Sequence, residues 1–345
     1  STLGTFLRSF AWGHVRQLDH ISRVLLARAW GAGAGPGKDA FTIDLDSTIC
    51  ETYGLAKQGA RHHGYTHVRG YHPLLAVAAG TGDVLHARLR SGNANTGRGA
   101  AGFLAETIAR TRAAGATGPL TVRADSGFYT HAMVATARRH KVRFSITARV
   151  FSGLRTVIEA IPEDQWTPIP YWTEGAADVA ETTYTPFASK PGAIPVRLLV
   201  RRVRPTPGSQ LALLTNYSYH PCITDREGDL LELEADHRRH AEIENGIRDL
   251  KYGVALNHLP SGKFGANAAW LAIQVFAHNL ARWTARLGLD AGILTTKTLR
   301  RRFFSIPGRI ASSARRLTVH LPASWPWAND FTSALTRFRA LALTT

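Results

Sequence analysis

Three acidic residues, each in a different local context, carry the chemistry this chain could perform. Asp46 closes the run Phe41-Thr-Ile-Asp-Leu-Asp46, and Asp125 closes Leu120-Thr-Val-Arg-Ala-Asp125 just before Ser-Gly-Phe-Tyr129. Glu244 lies in Ile243-Glu-Asn-Gly-Ile-Arg-Asp-Leu-Lys251. The first two runs read as short strands and the third as part of a helix. Carboxylates at two strand ends and on one helix can converge on a pair of hard divalent cations. Such cations take oxygen ligands, activate water and stabilise the leaving oxygen in phosphodiester cleavage. Each aspartate also has a plainer reading as a turn former after a strand, Asp-Ser-Gly above all. Side chains alternate along a strand, so Asp44 shares a face with Asp46 and rivals it for the role.

The helical segment is more directional. At about 100° per residue, His237, His240 and Lys251 fall within about 40° of Glu244. Ile243, Ile247 and Leu250 form an adjoining apolar stripe. A polar stripe beside a core-facing stripe is where a helix looks into a cleft. The competing reading is a solvated face with Glu244 paired to Arg248.

These residues need elements to position them. Residues 5–30 carry apolar positions at helical spacing, and the Gly-rich run 31–37 breaks that helix. A strand follows over 40–45, then a hairpin (74–79 and 84–89) around Gly80-Thr-Gly-Asp83. A helix over 100–114, a strand over 120–124, a helix over 130–140 and a strand over 142–147 come next. This order predicts an α/β fold, a ribonuclease-H-like mixed sheet with flanking helices. Residues 151–235 are proline-rich, with strand-like runs at 196–203 and 211–215, and read as a β-rich insertion. The division expected is an N-terminal helical segment and linker (1–38), first part of the core (39–150), insertion (151–235), and core completion with a helical basic C-terminal region (236–345). The chain opens on Ser1 inside a helical pattern, which reads as the end of a longer N-terminal region.

Charge points to the partner. The sequence has 42 lysines and arginines against 25 aspartates and glutamates, a formal net charge of +17. Such an excess suits a polyanion. Two distant cysteines, Cys50 and Cys222, exclude a disulfide scaffold or zinc knuckle and fit a reducing compartment. No run reaches the roughly 20 apolar residues of a membrane span. The nearest, 266–280, carries Asn267, Gln274, His278 and Asn279 and reads as a buried helix.

The helical segment resembles the C-terminal signature of the IS4-superfamily DDE transposases, Tyr-x2-Arg-x3-Glu-x6-Lys, here His237-x2-His240-x3-Glu244-x6-Lys251. Asp46-Ser-Thr48 and Asp125-x-Gly127-Phe128-Tyr129 resemble the family's first and second aspartate motifs. Arg69-Gly-Tyr-His-Pro-Leu74, Ile306-Pro-Gly-Arg309 and Arg315-Arg316 resemble the IS1380 branch. The resemblance implies that Asp46, Asp125 and Glu244 are catalytic and bind two Mg²⁺ ions, for which Mn²⁺ can substitute. It implies DNA contacts from His237, His240, Lys251, Arg300, Arg301 and Arg309. The implied partners are the element's terminal repeats and target DNA, cut and joined by a dimer in a synaptic complex, in the cytoplasm of a bacterium. His237 and His240 depart from the family's Tyr and Arg. That departure motivates a second reading, a catalytically inactive DNA-binding remnant or domesticated copy. A structure-selective ribonuclease-H-like nuclease is a third.

Other groupings are weaker. His62, His63, His67 and His72 lack the spacing of a structural zinc site and read as a solvated or DNA-facing loop. Trp166 and Trp172 in the insertion read as core residues or, by the resemblance, as stacking partners for a flipped base. Arg300 to Arg302, Arg309, Arg315 and Arg316 form a basic strip suited to phosphate.

Overall fold

In a computed structural model, which describes residues 2–171, 177–205, 208, 217–289 and 291–341, the strand-like runs join one nine-stranded sheet. Its members are β1 (Phe41–Ser47), β5 (Leu74–Ala78), β6 (Val84–Arg88), β7 (Leu120–Ala124), β8 (Arg143–Thr147), β9 (Thr167–Ile169), β10 (Ala177–Tyr184), β11 (Val196–Val203) and β12 (Ser218–Thr224). The strand order is β6-β5-β1-β7-β8-β12-β11-β10-β9. Three short strands, β2 (Cys50–Glu51), β3 (Arg61–His62) and β4 (Arg69–Tyr71), form a small separate sheet beside it.

β1, β7 and β8 run parallel, and every other pairing in the large sheet is antiparallel. Parallel neighbours need a long crossover. Helices α3 (Ala100–Ala113) and α4 (His131–Arg139) lie in those crossovers. They follow α1 (Thr2–Arg8) and α2 (Trp12–Ala29) in the chain. The mixed α/β architecture expected from the order of elements is the one observed. The proline-rich stretch contributes α5 (Ser152–Glu159) and then β9 to β12, which continue the same sheet outward from β8. A strand over 218–224 is not among those expected, and Pro221, which has no N–H for the ladder, lies within it. β12 nevertheless pairs on both sides there, and the Pro221 carbonyl accepts from Ala148 N–H at 2.8 Å. The expected strand at 211–215 lies outside the described residues.

Alternation along β1 sorts its two faces. Ile43 and Leu45 join Val122, Ala124, Phe144 and Ile146 in a core closed by Phe103, Leu104 and Met133 of α3 and α4. Asp44 and Asp46 point to the opposite face. That face is covered by the helical run 230–253, which buries Ile243, Ile247 and Leu250 against Leu75, Val77 and Val84. The run changes pitch as it crosses the strands. It comprises α6 (Leu230–Arg238), a 3₁₀ turn (Arg239–Glu242), α7 (Ile243–Arg248) and a π turn (Asp249–Gly253).

The long helix α8 (Phe264–Trp283) is buried although it carries polar residues, several of which find partners. Asn279 accepts from Val84 N–H and donates to the Val84 carbonyl, closing the edge of β6. Asn267 donates to Tyr71 and to the Ser261 carbonyl, and His278 bonds the Gly82 carbonyl. Among the described residues no helix is long and apolar enough to cross a membrane. Beyond α8 lie α9 (Thr296–Leu299), an exposed hairpin of β13 (Arg309–Ser313) and β14 (Arg316–His320), and α10 (Ala328–Ala340).

Candidate active site

Register places the two aspartates side by side. β1 and β7 run parallel with Leu45 opposite Ala124. The next positions are Asp46 and Asp125, so they stand abreast on neighbouring strands about 4.8 Å apart and turn to the same face. Each commits one oxygen to its own turn. Asp46 Oδ1 accepts from Ser47 N–H at 2.6 Å, and Asp125 Oδ1 accepts from Gly127 N–H at 2.9 Å, capping the 3₁₀ turn Ser126–Phe128. The turn-forming role and the site role thus coexist, because a carboxylate has a second oxygen. Glu244 is exposed and makes neither a hydrogen bond nor an ion pair among the described residues, so the Glu244–Arg248 pair is not formed.

Asp46 senses the other two acids. The Asp46 carboxyl is pushed up to about 6, first by burial and then by the negative charges of Asp125 and Glu244. The Ser47 N–H and His240 pull the other way without compensating. Crowded like charges raise a carboxyl in this manner. The interaction is at electrostatic range: among the described residues, no three His, Cys, Asp or Glu side chains are gathered closely enough to hold a metal ion. The donor set fits hard divalent cations all the same. It offers unpaired carboxylate oxygens on two fixed aspartates and on an exposed Glu244 whose charge reaches Asp46.

The sequence matches the profile of the transposase DDE domain group 1 family over residues 1–343. The chain belongs to that family. Among solved structures, it is similar to one described as the cryo-EM structure of piggyBac transposase synaptic complex with hairpin DNA. The TM-score is 0.46 and the identity 10%, over 75% of this chain and 51% of that one. The DDE-family chain therefore spans about half the length of that relative. No curated protein matches it.

Around the acids of this DDE-family chain lies a second layer that its sequence did not reveal. Asp44, the rival of Asp46, is already taken. Arg123 grips both its oxygens, Nε to Oδ1 at 2.8 Å and Nη2 to Oδ2 at 2.9 Å, and His240 Nδ1 lies 3.1 Å from Oδ1. Burial alone would raise the Asp44 carboxyl, but His240 and Arg123 outweigh it and hold the group below its ordinary value. Arg123 also bonds the carbonyl and Oδ1 of Asp236, whose other oxygen meets Arg226. Asp44 thus neutralises a buried arginine and ties β1 to the covering helix.

The residues on the helix face divide by depth. His237 spans two hydroxyls of β8, Ser145 Oγ at 2.8 Å and Thr147 Oγ1 at 2.9 Å. Burial, with help from His240 and Arg123, pushes it down to about 3, so it is neutral. Both its ring nitrogens face the protein, and His240 spends Nδ1 on Asp44. Lys251 Nζ donates to the Ile49 carbonyl at 2.9 Å, which ties the helix to the loop that follows Asp46.

A loop over 91–99 bridges the two aspartate turns. Ser47 Oγ lies 3.3 Å from Thr96 Oγ1, and Thr96 packs so closely on Gly127 that a Cβ there would sit 2.7 Å from Thr96 Cγ2. Arg90 fixes this loop by donating to the carbonyls of Asn95, Thr96 and Arg98 at 3.0, 3.1 and 3.0 Å, and to that of His72 at 2.9 Å. His72 Nδ1 bonds the Ala94 carbonyl, an acceptor only, so it carries the proton; Nε2 then accepts from Ser47 Oγ at 2.9 Å. Of the histidines in 62–72, then, His72 is an interior strut, and His62 and His63 bond within their own hairpin.

Trp166 is buried under the Arg202 guanidinium, 4.2 Å away, and is not open to a base. Trp172 lies outside the described residues. Arg300 and Arg301 are exposed beyond α9, with Arg301 and Arg302 over the Trp327 ring at 5.7 and 5.2 Å. Arg309 is exposed at the start of β13.

Proposed function

We propose that the chain is the transposase of an insertion sequence, of the IS1380 branch, that cuts the element's ends and joins them to target DNA by a cut-and-paste route. The observation that carries this reading is the elevated Asp46 carboxyl, raised by burial and by Asp125 and Glu244 together. Three acids remote in sequence share one field, in a chain whose family is defined by such acids.

In this reading Asp46, Asp125 and Glu244 hold two divalent cations, Mg²⁺ or Mn²⁺. When bound, these supply Lewis-acid activation of water and stabilisation of the departing 3′ oxygen. The chain's own residues do the positioning. Ser47 N–H and Gly127 N–H fix one oxygen of each aspartate and so aim the other. His237 and His240 clamp the helix onto β8 and β1, which sets the height of Glu244 above the aspartates. Lys251 braces the loop after Asp46 and has donors left for a backbone phosphate. The exposed Arg300, Arg301 and Arg309, with His240, are further contacts for the duplex. Two ends must be held together for strand transfer, which calls for a dimer on DNA. The setting is the bacterial cytoplasm, at the nucleoid.

The experiment is cleavage of end-bearing DNA in Mg²⁺ by the wild type and by Asp46→Asn, Asp125→Asn and Glu244→Gln. Each variant should lose cleavage and keep DNA binding. Cleavage retained by Glu244→Gln overturns the assignment. A wild type that binds ends but never nicks them marks an inactive remnant. A preference for branched or RNA-containing duplexes over element ends marks a structure-selective nuclease.

A further inference from the structure

The hairpin β13–β14 is an unusual appendage. Ile310 pairs with Val319 and Ser312 with Leu317, so these four share one face. Arg309, Ala311, Ser313, Arg316, Thr318 and His320 share the other. No residue of either strand is buried, and Ile310, Leu317 and Val319 are 70%, 74% and 59% exposed. A two-stranded ribbon standing alone is marginal in water and is normally covered by a third strand or a helix.

The turn is stranger still. Ser313 pairs with Arg316, which leaves a two-residue loop of Ala314 and Arg315 with φ of 49° and 65°. Left-handed backbone at both central positions is the type I′ arrangement, which favours Asn-Gly. Here neither residue is glycine, and the second is an arginine held at the tip of the ribbon. Strain of this kind persists where a function needs the side chain. The side chains of Arg309, Arg315 and Arg316 make no hydrogen bond, ion pair or ring contact among the described residues, although most buried and half-buried arginines elsewhere are engaged.

We propose that this ribbon docks in a groove of duplex DNA, its basic face toward the phosphates and Arg315 leading. The major groove of B-form DNA admits a two-stranded β-ribbon, and β-ribbon readers of DNA use strands in this way. Charge complementarity selects the occupant. Three unspent guanidiniums project from one face and the tip of a ribbon on a chain of net charge +17. The inference rests on the proposed function for its substrate and adds the mode of binding: phosphate contacts by a strained arginine turn remote in sequence from the three acids.

The test is the salt dependence of binding to a mixed-sequence duplex of about three helical turns, with the full chain. Neutralising Arg309→Ala, Arg315→Gly and Arg316→Ala together should flatten the slope of log K against log salt by about three, near 0.9 per lost phosphate contact. Arg315→Gly alone is the sharper probe, because glycine suits the left-handed turn better than arginine does. It should keep or raise thermal stability while flattening the slope by about one. Leu317→Ser with Val319→Ser should leave the slope unchanged. An unchanged slope in the triple variant overturns the proposal, as does a slope that the Leu317/Val319 pair flattens as much as the triple variant does. Failure here is separable from failure of the proposed function. A wild type that cuts DNA beside a triple variant with unaltered slope removes the ribbon alone. A wild type that binds with the expected slope but never cuts removes the transposase reading and leaves the ribbon.

Discussion

Arg123 holds Asp44 through both carboxylate oxygens, and Asp46 stands two residues further along the same face of the same strand. One acid is therefore locked to a cation while its neighbour is left among other acids. The contrast separates a structural carboxylate from a candidate ligand that alternation alone leaves equivalent. Asp44→Ala leaves a buried guanidinium with only Asp236 for countercharge, and losing one partner of such a pair costs about 3–5 kcal/mol. Chemical denaturation should read a loss toward the lower end, since Asp236 remains. Divalent affinity of the folded fraction should stay within a few fold of wild type.

Asp46 carries the opposite expectation. Its folded carboxyl lies at about 6 against an ordinary 3.8, so between those values the folded state holds more protons than the unfolded one. Stability of the metal-free protein therefore falls as pH rises from about 4 to 6, and stays lower above that, by roughly 3 kcal/mol at most. Asp46→Asn removes the buried charge. It should equal wild type near pH 4 and exceed it in thermal stability above pH 6 without metal, while losing divalent-induced stabilisation. A variant less stable than wild type at pH 8 contradicts this account of the site.

Gly127 separates positioning from binding. Its φ is not left-handed, so the obstacle to Gly127→Ala is Thr96, whose Cγ2 and Cβ a new Cβ would meet at 2.7 and 2.9 Å. The variant must push the 91–99 loop from the Asp125 turn. Cleavage should fall by one to two orders of magnitude, as for about 1 Å of misplacement near reacting groups, with duplex binding unchanged. Equal loss of binding and cleavage would point to general misfolding instead.

Lys251 tests the link between helix and loop. Lys251→Ala removes its bond to the Ile49 carbonyl, and should lower cleavage while flattening the salt slope by about one if a backbone phosphate is its second partner. An unchanged slope with reduced cleavage assigns it to bracing alone.

Much of this site is legible in the sequence, for reasons that are local. Alternation in Phe41 to Asp46 and the parallel pairing of two strand ends suffice to bring Asp46 beside Asp125. The apolar stripe of Ile243, Ile247 and Leu250 suffices to lay this helix over the face of the sheet that carries Asp46, near enough for the Glu244 charge to act on it. What is not legible depends on partners distant in the chain. Nothing near Arg90 announces that it gathers the carbonyls of Asn95, Thr96 and Arg98, and nothing near Asp44 announces Arg123. A uniform wheel also misses the pitch changes at Arg239–Glu242 and Asp249–Gly253. A 3₁₀ turn advances about 120° per residue and a π turn less than an α-helix, so the depth of His237 and the reach of Lys251 are not read from angle alone. At β12, the missing N–H of Pro221 weighs against a strand, whereas its carbonyl still accepts from Ala148 beside β8.

The most direct test of the central claim is calorimetric titration of Mn²⁺ into the metal-free protein at pH 8, for wild type, Asp46→Asn, Asp125→Asn, Glu244→Gln and Asp44→Asn. The account predicts that the first three variants each lose most of the binding heat, and that Asp44→Asn, where folded, keeps it. Glu244→Gln binding Mn²⁺ as wild type does, or Asp44→Asn abolishing it, would contradict a divalent site built from Asp46, Asp125 and Glu244.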